Sequence, residues 1–166
     1  LSPLDHPHES ATSLPARALA LFFLILTSPI LVPAALLSLI RHQPFLTTRT
    51  AVLPHDPGLA QRVITWQEIP TLPGVLRRWP TLWRIVTGHF AWTGNPPLTP
   101  EEATLLDGEF EQLWLHTAPG LFTAPEAEGC RPPWDDAARA HAALFACQPT
   151  ASWRWKTIRH GLTTLH

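Results

Sequence analysis

The sequence has no tyrosine, no methionine, only two cysteines and few charges. Each shortage excludes something. Charged residues make up 15% of the chain and the formal net charge is -1, so there is no cationic surplus to hold a nucleic acid. Cys130 and Cys147 form no Cys-x-x-Cys pattern and read as two free, partly buried thiols. The nine histidines are scattered. His6 and His8 are close enough to share a metal, yet they sit in a polar tail (1–16) with no further ligand nearby, and read as tail residues. Methionine is missing even at position 1, as expected of a fragment or a processed chain.

What is present is apolar and broken. Hydrophobic residues make up 45% of 166 positions, enough for one domain with a real core. Nineteen prolines cut the chain into short pieces and argue against a long regular bundle. Eight tryptophans suit a bilayer interface, where an apolar ring carries a wet N–H. From Ala18 to Ile40, "ALALFFLILTSPILVPAALLSLI" runs 23 residues without an ionisable group, long enough to cross a hydrocarbon core. Ser28-Pro29 stands at its middle and Pro33 follows. Proline withholds an N–H and clashes with the carbonyl four residues back, so the helix should bend there. The carbonyl so freed needs a side chain, a water or a shallow depth to satisfy it. Arg17 and Arg41 flank the run, and cytoplasmic loops are rich in such residues. A re-entrant hairpin over 17–41 that enters and leaves by one face fits both features. A straight span and a cleaved signal peptide are the alternatives, the latter with an unusually poor basic start.

Beyond the run, "AVLPHDPG" (51–58) reads as a turn, and "RVITWQEI" (62–69) as a short strand. "TLWRIVTG" predicts a short helix with Pro80 at its start and Gly88 past its end. "GHFAWTGNPP" (88–97) reads as a rigid loop. Thr99, Pro100 and Glu102 form a capping box opening a helix to about His116, with Leu105, Leu106, Phe110, Leu113 and Trp114 on its apolar face. After a loop, "WDDAARAHAALFACQ" (134–148) is helical, its acids at the positive end of the dipole. "SWRWKTIRHGLTTL" (152–165) interleaves Trp153, Trp155 and Ile158 with Arg154, Lys156 and Arg159, suiting a helix in a headgroup layer or an ordinary surface helix. The fold class expected is mostly α with short irregular β segments.

This order of features resembles the bacterial sugar transferases that act as monotopic phosphoglycosyl transferases. In that family a re-entrant helix with a Ser-Pro kink anchors a small cytoplasmic domain, and Ser28-Pro29 stands in that place. The family then has Asp-Glu, Leu-Pro-Gln-Leu-Trp-Asn-Val-Leu and a Gly. Here Arg77-Arg78 precede Trp79-Pro80-Thr81-Leu82-Trp83-Arg84-Ile85-Val86 and Gly88. The family's Asp-Met-Ser-Leu-Val-Gly-Pro-Arg-Pro is matched by His89 to Pro97, and its Lys-Pro-Gly-Ile-Thr-Gly is echoed by Ala118 to Thr123. The C-terminal tryptophan-bearing helix also matches in position. The likeness runs from about residue 17 to 165, and the family's Arg- and Gly-rich signature is absent from the stretch before Arg77.

The resemblance implies a hairpin (17–41) and a small cytoplasmic helical domain (42–166) at the inner membrane. It implies a reaction in which a nucleotide-diphosphate sugar gives its sugar-1-phosphate to polyprenyl phosphate, with Mg²⁺. The family's Asp is the nucleophile and the Glu beside it assists. Arg77 and Arg78 hold those positions. A guanidinium stays protonated and has no lone pair, so it can neither attack phosphorus nor ligate a metal. The Arg of Pro-Arg-Pro is Pro96 here, and the Asp after the Gly is His89. Loss of the nucleophile predicts an impaired or inactive enzyme. Glu68, Glu101, Glu102, Asp135 and Asp136 are the carboxylates weighed as substitutes, the last four having plainer roles at helix starts. Two roles are open to Arg77 and Arg78: gripping a phosphate, joined by Gly94 at the family's glycine position, or facing an anionic leaflet as surface cations. Trp83 and Trp92 read as packing residues ahead of sugar platforms. The alternative function is a non-catalytic relative that binds a lipid phosphate, a nucleotide sugar or a partner transferase.

Overall fold

The computed structural model of the chain describes residues 13–54, 62–106, 108–147 and 150–163. His6, His8 and the second half (55–58) of the 51–58 turn lie outside them. The apolar run forms two helices, α1 (Leu14–Thr27) and α2 (Leu31–Ile40), joined by a single 3-10 turn, Ser28–Ile30. Pro29 has no N–H to offer the carbonyl of Ile25. Ser28 answers in its place: its backbone N–H and its Oγ, at 2.9 Å, both donate to that carbonyl. Thr27 Oγ1 donates to the carbonyl of Phe23 in the same way. The Leu31 N–H reaches the carbonyl of Pro29, which Pro33 leaves without its helical donor. The break therefore satisfies its own backbone. α2 closes on His42 at φ 50°, where glycine is usual. The His42 N–H returns to Leu39 at 3.3 Å and that of Gln43 to Ser38 at 3.0 Å.

β1 (Thr47–Val52) and β2 (Val63–Glu68) pair antiparallel, Thr47 opposite Glu68 and Val52 opposite Val63. β2 is the strand expected at 62–69; its partner hides in a run of threonines between prolines. A one-turn helix, α3 (Gly74–Arg77), leads to α4 (Thr81–Val86), which Gly88 ends at φ 82°. The sequence placed this helix and its glycine stop correctly.

Two stretches read as loop are strands. β3 (Ala91–Gly94) and β4 (Gly120–Thr123) pair in parallel. Each has four residues, and all of β4 is buried, so neither shows the alternation of a half-exposed strand. The glycines that suggested a loop serve close approach. A Cβ on Gly94 would lie 2.2 Å from the Ala118 carbonyl oxygen, and one on Gly120 would lie 2.3 Å from the Gly94 nitrogen.

The single helix expected from Thr99 to His116 is two, α5 (Pro100–Ala103) and α6 (Glu109–His116). The capping box is present in both directions, at 2.9 and 3.2 Å. The helix stops because Gly108 is extended at ψ 143° and Leu106 turns into the core. α7 (Ala124–Ala127) follows β4 directly, and α8 (Asp136–Cys147) and α9 (Ala151–Thr163) complete the chain. Cys130 and Cys147 are free thiols; Cys130 is half-buried as expected, whereas Cys147 is exposed.

Two cores result. The larger joins Ala20 of α1, Trp66 of β2, Leu82 and Ile85 of α4, Phe90, and Leu121 and Phe122 of β4, with Ile158 of α9 packed on it. Burying a side chain such as Phe90 is worth about 2–3 kcal/mol. The smaller gathers Leu98, Leu106, Trp114 and Ala142, where α6 lies on α8. The apolar run thus belongs partly to the body. Ala20, Ala34 and Ser38 are buried, while Phe22, Ile25, Leu26, Val32, Leu36 and Leu39 stay more than half exposed.

Candidate functional site

Arg77 ends α3, and β2 brings Glu68 to meet it. Alternation along β2 turns Trp66 and Glu68 inward, and the Ile69 N–H holds the Arg77 carbonyl at 2.8 Å. Arg77 Nε and Nη2 lie 2.9 and 2.7 Å from Glu68 Oε2, and Arg49 Nε is 3.7 Å from the same oxygen. Glu68 is only 7% exposed. Arg78 turns to another element. Its Nη1 and Nη2 grip Glu126 of α7 in a fork, at 2.9 and 2.6 Å. Thr123 Oγ1 donates to Glu126 Oε2 at 2.5 Å. Each guanidinium is thus committed to a protein carboxylate.

Among the carboxylates weighed from sequence, only Glu68 is brought to this place. Glu101 and Glu102 start α5, Glu102 closing the capping box. Asp135 Oδ1 caps α8 through the Ala138 N–H at 2.9 Å, and Asp136 lies in that helix's first turn. Glu126 escaped notice. Its one signal was the Thr-x-x-Glu spacing from Thr123, which marks a helix start.

A Mg²⁺ ion needs carboxylate oxygens free to ligate it. The two carboxylates here already face guanidinium groups, and among the described residues no three His, Cys, Asp or Glu side chains converge. The residues present do not fit the metal. Gly94 sits inside β3 against Ala118 and Gly120, so its lack of a side chain is used by the strand pairing. Ser28 and Pro29 form the break between α1 and α2. Trp92 is a packing residue: its ring meets Phe23 edge-on at 6.0 Å and its N–H donates to the Ala16 carbonyl at 3.0 Å.

The same stretch of chain runs on into a cavity. A groove of about 480 Å³ opens between the apolar helices and the body. Leu24, Leu31, Phe45, Trp66, Trp79 and Trp83 line it, with Arg84 among them. Trp83, expected to pack, is 53% exposed. The Nε1 atoms of Trp66 and Trp79 are buried with no acceptor among the described residues. An indole N–H can only donate, and leaving one unmet costs about 1–3 kcal/mol. The Arg84 guanidinium likewise has no carboxylate among the described residues. Beyond the helix end, His89 Nδ1 and Thr87 Oγ1 are 2.9 Å apart. Burial, then the charges of Arg84, Arg62 and Arg17, hold the His89 pKa below its ordinary 6.5. This corner is electropositive. No protein-family model matches the chain, and no curated protein matches it in sequence.

Proposed function

We propose that this chain is a membrane-seated, non-catalytic counterpart of the monotopic phosphoglycosyl transferases of polysaccharide and glycoconjugate assembly. In this reading it holds a lipid phosphate, a nucleotide sugar or an active partner transferase, and transfers nothing itself. The observation that carries it is the state of Arg77 and Arg78. They stand where the family has its nucleophile and helper, and both are locked into ion pairs with Glu68 and Glu126. Glu126 is gripped through both oxygens and Glu68 through Oε2, and a carboxylate paired with a guanidinium is a weakened nucleophile, so neither glutamate is taken to replace the missing one. The test is a transfer assay in nanodiscs with radiolabelled UDP-sugars, polyprenyl phosphate and Mg²⁺, reading UMP release beside an Asp-Glu-bearing relative. No release is expected. Metal-dependent release abolished by Glu68→Gln or Glu126→Gln would overturn the reading.

The seat proposed is a hairpin in the cytoplasmic membrane, with the body on the cytoplasmic face. Two contacts support it. Trp92 holds Ala16 near the start of α1, and Ser38 of α2 meets Thr71 at 3.3 Å. Were Leu14–Ile40 one straight helix, those anchors would stand about 33 Å apart, the thickness of a hydrocarbon core. The polar body would then lie along the lipid. Cysteines introduced by Ser13→Cys and His42→Cys, each in a chain with Cys130→Ser and Cys147→Ser, should react with an impermeant maleimide from the same side of sealed vesicles. Labelling from opposite sides would establish a straight span.

A further inference from the structure

The outer side of α9 combines aromatic surface with charge of one sign. Over Ala151–Thr163 the helix holds three of the chain's twelve Lys and Arg and none of its thirteen Asp and Glu. Thr157 is buried, and Trp153 meets Phe145 edge-on at 5.9 Å. At about 100° per residue, Trp155, Arg159 and Leu162 fall within about 60° of one another, on the side away from Thr157. Trp155 is 68% exposed and Leu162 54%. Lys156 is held by Glu128 at 2.6 Å. Arg154 and Arg159 are exposed and meet no carboxylate among the described residues. A helix made to face water carries both signs, spaced to pair at i and i+4. This one sets an indole and a leucine beside an unanswered guanidinium. That arrangement suits a headgroup layer, with ring and stem in the apolar boundary and the cation at the phosphates.

The seating of α9 in the fold says which surface it meets. Gly161 lets the helix close on Phe122, since a Cβ there would run into that ring, and Ile158 packs on the same core. Ala20 of α1 enters that core too. α9 also touches β3, whose Trp92 donates to the Ala16 carbonyl near the start of α1. The two helices thus rest on one core. We propose that α9 is a second membrane contact of this chain, lying on the anionic headgroups of the leaflet that holds the hairpin. Trp155 and Leu162 enter the apolar boundary, and Arg154 and Arg159 meet lipid phosphates. Charge complementarity argues for an anionic surface. The shared core argues for the bilayer over an acidic protein, because seating α1 in a leaflet brings α9 close to it.

The proposal rests on the membrane seat described above, and the experiment reads the two separately. Nitroxide labels are placed by Ser152→Cys, on the outer side of α9, and by Leu26→Cys, beside the break in the apolar run. Each sits in the full chain with Cys130→Ser and Cys147→Ser. Collision with oxygen and with a water-soluble nickel chelate is measured in vesicles of phosphatidylcholine, with and without phosphatidylglycerol. The label at 26 should be shielded from the chelate in both. The label at 152 should be shielded only where phosphatidylglycerol is present, and should reopen in high salt. Arg154→Gln with Arg159→Gln should shift that docking equilibrium toward the open state by about fivefold per arginine. Trp155→Ala should reopen it as well, and its ring is mostly exposed, so the fold loses little packing. Circular dichroism checks that each variant is folded. A label at 26 open to the chelate would remove the seat and the second contact together. With 26 shielded, a label at 152 open in both vesicles would overturn the contact alone and leave this face to a soluble partner. Shielding at 152 in both vesicles, or shielding that the two Arg→Gln changes leave in place, would overturn the anionic surface.

Discussion

Arg78 and Arg84 lie on one short stretch of chain, separated by Pro80 and the first turn of α4, and they behave in opposite ways. Arg78 is 17% exposed, forks onto Glu126 and is braced by Thr123. Arg84 lines an apolar groove with no carboxylate to meet it among the described residues. Sequence alone reads Arg78 as a phosphate grip or a leaflet-facing cation and singles out no role for Arg84. The structure separates them by what stands opposite. A cation answered by a glutamate from a different element is a clasp, joining α7 to the segment before α4. A cation with no carboxylate opposite it among the described residues is left to solvent or to an outside anion. The pair at Arg77 falls on the clasp side, since it ties α3 to the end of β2.

The contrast can be broken hardest by restoring the family's pair. Arg77→Asp with Arg78→Glu would set new carboxylates against Glu68 and Glu126, exchanging two attractions for two repulsions. Breaking a buried pair costs about 3–5 kcal/mol. Allowing for partial exposure, the double variant should lose at least about 3 kcal/mol by urea denaturation and gain no turnover. A folded, active double variant would mean that the clasps are incidental.

A smaller effect sharpens the same point through an asymmetry. Arg77→Ala leaves Glu68, whose side chain is 9% exposed, with Arg49 at 3.7 Å as its one cation among the described residues, and should cost about 2–3 kcal/mol. Glu68→Gln leaves an arginine that is 42% exposed and can hydrate, and should cost about 1 kcal/mol. Equal losses in the two melts would show that Glu68 is not held as a buried charge. Arg84→Gln should change stability by no more than about 0.5 kcal/mol, since no carboxylate is left behind. A larger drop would place Arg84 with the clasps.

How much of this was legible beforehand depended on whether the signal was local. The Thr99 capping box and the Gly88 stop each rest on a few adjacent residues and stand where the sequence put them, and at Ser28-Pro29 the apolar run is interrupted by a single 3-10 turn. The β3–β4 pair could not be read that way. Its two strands are four residues each and 29 positions apart from start to start, and their glycines are explained only by the partner strand. The ion pairs failed to show for the same reason. Glu126 is 48 residues from Arg78, and nothing near either one names the other. Glu68 was noticed as a carboxylate, but its place opposite Arg77 depends on β2 turning it inward. The groove needed α1, α2, β2 and α4 together, so no single stretch could announce it.

The smallest effect concerns the field at Arg84. His89 is held below its ordinary pKa by burial first and then by Arg84, Arg62 and Arg17, while an unfolded chain takes up the proton near 6.5. As pH falls through that value, the unfolded state binds the proton before the folded state does. Stability from this group is therefore full above the unfolded value and is lost as pH drops toward the folded one. His89→Gln should flatten that slope in melts recorded across the same window. Arg84→Gln should raise the His89 titration midpoint, followed by its imidazole proton resonance, but only part of the way, because burial is the larger cause. A midpoint at or above the ordinary value in lipid-free protein would mean that the corner is not electropositive, and Arg84 would then differ from Arg78 only in lacking a glutamate.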